Sequence, residues 1–183
     1  SAELLHTHRS AWQDRCGNPT NLSSKFGRVA WRRSGVALGR VASVLAIVCP
    51  GQGAQTPGFL SPWLEDDAFA TRFEWLATVA GIDLVHYGTE ADAETIRDTA
   101  IAQPLLVAAG LVTSLALFPS PADAFPMIGV GAGHSVGEIT AAAAAGALTA
   151  EQAMVLVRER GRAMAEASAV TPTSMMALIG GDA

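Results

Sequence analysis

Two short apolar runs stand out along the chain, and each leads directly into glycines. Residues 44–49 read VLAIVC and stop at Pro50, and residues 127–132 read MIGVGA. Uninterrupted apolar runs of this length, bounded by turn residues, are typical of strands buried inside a parallel sheet. The pattern therefore predicts two buried strands, and a third apolar run at residues 176–179 predicts the beginning of another.

Helical patterns fill the chain between and after these runs. Ser61-Pro62 is a helix-start signal, and Thr149 with Gln152 matches a capping box. With Gly81 as a stop signal and Gln103-Pro104 as a second start, the pattern predicts five helices, at residues 61–80, 92–98, 103–117, 138–147 and 149–167. Strands and helices alternate without an internal repeat, which indicates an α/β domain.

Composition supports a globular α/β domain. Half of the 183 residues are hydrophobic (50%) and 16% are charged, which is too apolar for a disordered chain. The longest apolar run, residues 105–118, is shorter than the roughly 18 residues of a membrane-spanning helix, so we expect no membrane partner and a cytoplasmic location. The 2 cysteines form no CxxC pair, which argues against a disulfide scaffold or a structural zinc site.

Charge divides the chain into two compositionally different pieces. Residues 1–43 contain seven basic and two acidic residues, whereas residues 44–183 contain five basic and fifteen acidic ones. The first piece has no sustained helical or strand period, so it is predicted to be a basic, disordered extension outside the domain at 44–183. An organelle transit peptide and a misplaced start are alternative explanations. The acidic body disfavours nucleic acid as a partner.

The sequence GHSVG at residues 133–137 matches the GxSxG nucleophile elbow. In that motif a strand turns sharply into a helix, and the turn lifts the serine hydroxyl above the sheet. The predicted strand and helix flank the motif in the required order. Ser135 is therefore a candidate nucleophile, and the backbone N–H of Val136 is a candidate oxyanion donor. The alternative is a plain turn with an inert serine.

The glycine loop after the first predicted strand reads GQGAQ at residues 51–55. Thr56 stands where a dinucleotide-binding GxGxxG loop needs glycine, and the only lysine, Lys25, is not part of a P-loop. Nucleotide binding is therefore not expected. A loop in this position can instead supply a second backbone N–H beside the nucleophile.

Arg160 is a candidate anion-binding residue because of its helical position. It shares an apolar stripe with Ala153, Val157 and Met164, whereas Arg158 and Arg162 fall on another face. An internal ion pair, a snorkelling side chain and a bound substrate carboxylate all fit this placement.

The histidines do not provide a convincing base for Ser135. The elbow directs the side chain of His134 away from the serine, and His86 follows an unrelated apolar patch. His6 and His8 lie in the predicted extension. A serine–histidine mechanism therefore lacks its base among these residues.

Four motifs together resemble the malonyl-CoA:acyl-carrier-protein transacylases of fatty-acid synthesis. In chain order they are PGQGAQ at 50–55, AQP at 102–104, GHSVGE at 133–138 and RERG at 158–161. The resemblance covers residues 44–183 and leaves the first 43 residues uncovered. It implies an α/β, parallel-sheet, hydrolase-like acyltransferase core, to which the family adds a small ferredoxin-like subdomain.

The resemblance also implies a role for each matching residue. Ser135 would attack the thioester of malonyl-CoA, and the backbone amides of Gln52 and Val136 would hold the oxyanion. Arg160 would bind the free malonate carboxylate, with Gln103 near the pocket in a supporting role. The acyl group would then pass to the phosphopantetheine thiol of acyl carrier protein, without a metal or any other cofactor.

The chain departs from the family pattern after the RERG motif. The base histidine of a GAFH-like segment, an asparagine-containing loop and the completed ferredoxin-like subdomain do not occur before Ala183. We therefore expect an N-terminal part of an acyltransferase that is nearly inactive alone. Alternatives are an acyltransferase fragment of polyketide-synthase type, a serine hydrolase with the same elbow, and a non-catalytic remnant that at most binds a carrier protein.

Overall fold

A computed structural model describes residues 45–118, 124 and 126–171. The predicted extension at 1–43 and the predicted strand at 176–179 lie outside these residues. The elements, in chain order, are β1 (Leu45–Cys49), α1 (Ser61–Leu64), α2 (Asp67–Ala80), α3 (Leu84–Thr89), a 3₁₀ turn (Thr95–Arg97), α4 (Thr99–Leu117), β2 (Ile128–Gly133), α5 (Gly137–Ala144) and α6 (Ala150–Val170).

The two strands pair in parallel, as predicted. Leu45 lies opposite Ile128, and the pairing continues until Cys49 lies opposite Gly133. Helices α1 to α4 lie in the described part of the crossover between the strands, which confirms the α/β class. Because parallel strands end at the same edge, the glycine loop after β1 and the GHSVG turn after β2 are neighbours.

The expectation that both strands are buried is wrong for the described residues. Val48 is 72% exposed and Val130 is 51% exposed, whereas Cys49 at the end of β1 is 6% exposed. Within the described part of the chain, α5 is the main helix packed on this sheet. Most strand side chains therefore remain uncovered, although their apolar pattern is that of a covered strand.

The buried core lies among the helices, with α4 at its centre. Helices α2, α3, α5 and α6 all pack against α4. Buried core residues come from α2, α4 and α6, and the largest of them include Phe73, Leu105, Val107, Met154 and Val157. The hydrophobic interior of this part of the chain is therefore a helical layer beside a small sheet.

Helix α4 is longer than the sequence indicated. It begins at Thr99 rather than Gln103, because the Asp98 side chain accepts a hydrogen bond from the backbone N–H of Ala100 and caps it. Its 19 residues are long and apolar enough, by length and composition only, to cross a membrane. Half of the most apolar stretch of this helix is buried within the fold. The central helix of a soluble domain passes the same test, so this helix is weak evidence for a membrane span.

Two other predicted helices are also corrected. The helix at 61–80 is two helices, because Asp66 adopts an extended backbone and its side chain caps α2 by accepting from Ala68 N–H at 2.9 Å. The helix at 92–98 is only the single 3₁₀ turn. Sequence analysis missed α3, which Asp83 caps by accepting from the backbone N–H of His86.

The later helices agree more closely with prediction. Thr149 and Gln152 form both hydrogen bonds of the capping box, which confirms the predicted start of α6. That helix continues to Val170 rather than ending at residue 167. Helix α5 spans Gly137–Ala144, slightly earlier than the predicted 138–147.

Gly161 allows α6 to cross close to the beginning of α4. A Cβ atom at position 161 would lie 2.9 Å from the carbonyl oxygen of Thr99 and 3.2 Å from the Cα of Ala100. Both neighbours are backbone atoms, so they cannot move aside as a flexible side chain would. This approach sets how far the residues of α6 beside Gly161 lie from α4.

We predict that Gly161→Ala destabilises the full-length protein. Helix propensity alone would make this substitution stabilising by about 1 kcal/mol, whereas overpacking against α4 should cost about 1–3 kcal/mol. Denaturant unfolding measures whether the substitution lowers or raises the free energy of unfolding. Ala163→Gly, at an exposed position of the same helix, is the control and should cost about 1 kcal/mol by propensity alone. A stabilising Gly161→Ala would contradict the close crossing.

Candidate functional site

Ser135 has a backbone conformation that side-chain-bearing residues rarely adopt. Its φ angle is 54°, and it is the one non-glycine residue with positive φ in the described part of the chain. Such a conformation costs on the order of 1 kcal/mol or more, and strained residues of this kind cluster at functional sites. Ser135 lies between the end of β2 and the start of α5, so the strand, turn and helix order predicted for a nucleophile elbow is confirmed.

The glycines on both sides of Ser135 are required by close packing. A Cβ at position 133 would overlap the backbone nitrogen of Glu138, and one at position 137 would overlap the backbone carbonyl of Cys49. The chain therefore doubles back tightly on both sides of the serine. This is the physical reason for glycine at the first and last positions of GHSVG.

The glycine loop after β1 is fastened to the elbow. The backbone N–H of His134 donates to the carbonyl of Cys49 at 3.1 Å. At Gly51, a Cβ would meet the His134 imidazole and lie 2.9 Å from the His134 carbonyl oxygen. Gln52 follows directly, which places its backbone on the same side of the sheet as Ser135.

Two backbone N–H groups at this edge have no protein acceptor. Among the described residues, neither the N–H of Gln52 nor that of Val136 donates a hydrogen bond. Val136 is the N-cap residue of α5, where the helix dipole adds a partial positive charge. Both of these N–H groups, which are the expected oxyanion donors, are therefore unpaired among the described residues, with Gln52 exposed and Val136 buried.

Arg160 lies beside the Ser135 hydroxyl. Its Nη2 donates to Ser135 Oγ at 3.3 Å, and its Nη1 donates to Gln103 Oε1 at 2.5 Å. This brings together three site residues that are widely separated in sequence. Ser135 Oγ makes no other hydrogen bond within the described residues.

The Arg160 guanidinium has no carboxylate partner in the described part of the chain. The neighbouring arginines are different, because Arg158 contacts Glu159 at 2.8 Å and Arg162 contacts Glu159 at 3.8 Å. The internal ion pair that the sequence left open for Arg160 is not observed there. A half-buried, unpaired guanidinium beside a serine hydroxyl can bind an anion, most favourably a carboxylate with two parallel hydrogen bonds.

Gln103 is the buried partner of Arg160. It is 1% exposed, and its Nε2 donates to Gln52 Oε1 at 3.4 Å and to Met164 Sδ at 3.3 Å. The side chain of Gln52 is itself held, because its Nε2 donates to the Arg97 carbonyl at 3.1 Å. Sequence analysis assigned only the backbone of Gln52, and its side-chain contacts were missed because they join residues far apart in sequence.

Neither described histidine hydrogen-bonds to Ser135, as expected. His86 Nδ1 lies 3.3 Å from Glu90 Oε2, and the His134 ring packs beside Gly51. No group of three or more His, Cys, Asp or Glu side chains in the described ranges is placed to hold a metal ion. Burial raises the pKa of the Cys49 thiol, so this cysteine stays protonated near neutral pH and is a poor competing nucleophile.

Comparisons with known proteins show what this chain is similar to. The family model described as "Acyl transferase domain" matches residues 46–180. A malonyl CoA-acyl carrier protein transacylase of Mycobacterium tuberculosis (strain ATCC 25618 / H37Rv) is 46% identical over 139 residues, which cover 76% of this chain and 46% of that protein.

Solved structures show the same similarity. The crystal structure of MCAT from Mycobacterium tuberculosis aligns with a TM-score of 0.63 and 44% identity, over 71% of this chain and 43% of that one. A malonyl-transacylase in complex with its holo type II polyketide acyl-carrier protein aligns with a TM-score of 0.57 and 30% identity, over 68% and 40% of the two chains. The chain thus spans less than half the length of these relatives.

We predict that Gly137→Ala destabilises the full-length protein by about 2 kcal/mol or more, because the added methyl overlaps the Cys49 carbonyl. Gly131→Ala in the adjoining strand is the matched control, since a Cβ there meets nothing within 4 Å. Denaturant unfolding should show a loss for the first variant and none for the second. Equal effects would contradict the tight elbow.

Proposed function

The chain belongs to the acyl transferase family, and on this premise we propose that it carries the nucleophile and the acyl-binding arginine of a malonyl-CoA:acyl-carrier-protein transacylase of fatty-acid biosynthesis. The proposed substrates, malonyl-CoA and acyl carrier protein, are those in the names of the relatives. The contacts of Ser135 and Arg160 support their roles. The arrangement of the described residues is that of a covalent acyl transfer in two steps.

In the first step Ser135 Oγ attacks the carbonyl carbon of the malonyl thioester. The carbon–sulfur bond breaks, coenzyme A leaves as its thiol with the serine proton, and a malonyl ester forms on Ser135. In the second step the phosphopantetheine thiol of acyl carrier protein attacks that ester, and the serine recovers its proton. Both steps conserve oxidation state and need no redox cofactor, and the proposal includes no metal and no other cofactor.

Both steps pass through a tetrahedral oxyanion, and the free backbone N–H groups of Gln52 and Val136 are proposed to bind it. Donors fixed in position before reaction stabilise such a charge strongly, and removal of one donor commonly costs about 100-fold to 1000-fold in rate. The positive φ of Ser135 supports the proposal, because it places the serine in the sharp turn between β2 and α5, directly before the N–H of Val136.

The choice of a malonyl group rests on the Arg160 guanidinium, which forms no ion pair with any carboxylate that the structure describes. Malonyl has a second carboxylate that can pair with Arg160, whereas acetyl has none. Arg160 Nη2 lies 3.3 Å from Ser135 Oγ, so the cation is within reach of a short acyl group on that oxygen. A serine hydrolase with the same elbow has no general need for such a cation.

Ser135 also needs a proton acceptor, and no histidine or carboxylate of the described residues bonds to it. A serine hydroxyl without a base is a weak nucleophile, so we propose that residues 1–183 alone transfer malonyl groups very slowly. The proposed partners are malonyl-CoA and acyl carrier protein, without nucleic acid or membrane. The proposed location is the cytoplasm.

We predict that Ser135→Ala removes the malonyl adduct from the full-length protein but leaves its melting temperature nearly unchanged. The variant lacks the attacking oxygen and loses one exposed hydroxyl. Intact-mass measurement after incubation with malonyl-CoA checks this. Ser114→Ala, whose hydroxyl bonds only to backbone in α4, is the control and should keep the adduct.

The same measurement separates the alternative functions. Malonate released into solution without transfer to carrier protein would favour a hydrolase. An unloaded wild-type protein would favour a non-catalytic role. An adduct that persists in Ser135→Ala would exclude Ser135 as the nucleophile.

We predict that Arg160→Ala lowers malonyl transfer far more than acetyl transfer. Loss of a charge-assisted hydrogen-bonded pair should cost about 1.5–3 kcal/mol, which is about 10-fold to 150-fold in relative kcat/KM. Arg158→Ala is the matched control, because that arginine, two positions earlier in the helix, pairs with Glu159. Equal losses for both acyl groups in Arg160→Ala would refute the carboxylate-binding role.

A further inference from the structure

The cation of the proposed acyl site is oriented by a neutral group. Arg160 Nη1 donates to the amide oxygen of Gln103, and Arg160 makes no ion pair with any carboxylate in the described ranges. A carboxylate in the place of this amide would hold the guanidinium equally well, but it would also neutralise the charge that a substrate carboxylate needs. An amide oxygen orients the cation and leaves its charge available.

Gln103 can orient Arg160 only while its amide oxygen, rather than its NH₂ group, faces the guanidinium. A guanidinium has donors and no acceptor, so an amide turned over would present its NH₂ group to Arg160 and lose the bond. The observed direction is supported from the far side, where Gln103 Nε2 donates to Gln52 Oε1 and to Met164 Sδ. Because Gln103 is buried, water does not compensate for a lost partner.

The direction of the Gln52 amide is in turn fixed by a backbone carbonyl. Its Nε2 donates to the backbone carbonyl of Arg97 at 3.1 Å and to Thr99 Oγ1 at 3.3 Å. A backbone carbonyl only accepts, and Arg97 lies in the 3₁₀ turn immediately before α4. The amide nitrogen of Gln52 must therefore face the backbone, and its oxygen is left facing Gln103.

From these contacts we propose that Gln52 and Gln103 form an amide relay. The relay runs from the Arg97 carbonyl to the Arg160 guanidinium, and it positions that cation for a carboxylate-bearing acyl group without neutralising it. Both side chains are positioning residues, and this role of the Gln52 side chain is separate from the oxyanion role of its backbone. The inference rests on the proposed function of Arg160.

The first test replaces the neutral oxygen by a charged one. In Gln103→Glu the new carboxylate pairs with Arg160 and competes with the malonyl carboxylate. The ratio of malonyl to acetyl kcat/KM in the full-length protein should fall about tenfold or more, with most of the change in the KM for malonyl-CoA. An unchanged ratio in a folded Gln103→Glu protein would overturn the proposal.

The second test uses an exposed position, where folding is not at risk. Gln52→Met removes both the donor and the acceptor of the Gln52 side-chain amide. The ratio of malonyl to acetyl kcat/KM should then fall about threefold to tenfold. In a Gln103→Met background the same Gln52→Met change should have no further effect on the ratio, because the relay is already broken. Additive effects would show that the two glutamines act independently and would overturn the relay.

Gln55→Met is the matched control from the same loop. Gln55 Nε2 donates to the Ile96 carbonyl at 2.9 Å, so this glutamine fastens the loop to the 3₁₀ turn without bonding to Gln103. Its loss should lower malonyl and acetyl transfer equally. If Gln52→Met also lowered malonyl and acetyl transfer equally, Gln52 would have only a structural role, and the relay would be overturned.

Arg160→Ala distinguishes failure of the relay from failure of the proposed function. A malonyl-selective loss in Arg160→Ala, together with equal losses in the glutamine variants, would overturn the relay alone. Equal losses in Arg160→Ala would overturn the carboxylate-binding role on which the relay depends.

Discussion

The constraint around which this part of the molecule is arranged is Arg160, which lies beside a serine hydroxyl and has no carboxylate partner among the described residues. Its charge has to be held in place, and a carboxylate would cancel it. The close crossing of α4 and α6 at Gly161 brings Arg160 and Gln103 within hydrogen-bonding distance. The site therefore depends on how closely α4 and α6 approach each other. Glycine at position 161 permits this approach because it has no side chain.

The serine side of the site depends on a different kind of constraint. The positive φ of Ser135 and the glycines before and after it turn the chain directly from β2 into α5. The parallel pairing of β1 with β2 then brings the loop containing Gln52 to the same edge. Strand pairing places the proposed oxyanion donors, and helix packing places the Arg160 cation, so Ser135 lies where these two parts of the fold meet.

The sequence predicted those structural features that depend on residues close together in the chain. The capping box of α6, the GHSVG turn and the apolar stripe carrying Arg160 all follow from short spacings, and the structure bears them out. The GHSVG motif and its flanking elements made Ser135 a candidate nucleophile, whereas only the resemblance to a family selected a malonate carboxylate as the partner of Arg160. The break at Asp66 was missed because a side-chain cap outweighed a continuous helical pattern. The Gln52 contacts were missed because they exist only after the helices pack.

The most direct test is competition between two acyl groups for the same serine. The full-length protein is incubated with equal concentrations of malonyl-CoA and acetyl-CoA, and the adducts on the peptide that contains Ser135 are quantified by mass spectrometry. If Arg160 selects a second carboxylate, malonyl adduct should exceed acetyl adduct by about tenfold or more. Equal loading of the two groups, or loading of another residue, would contradict the account.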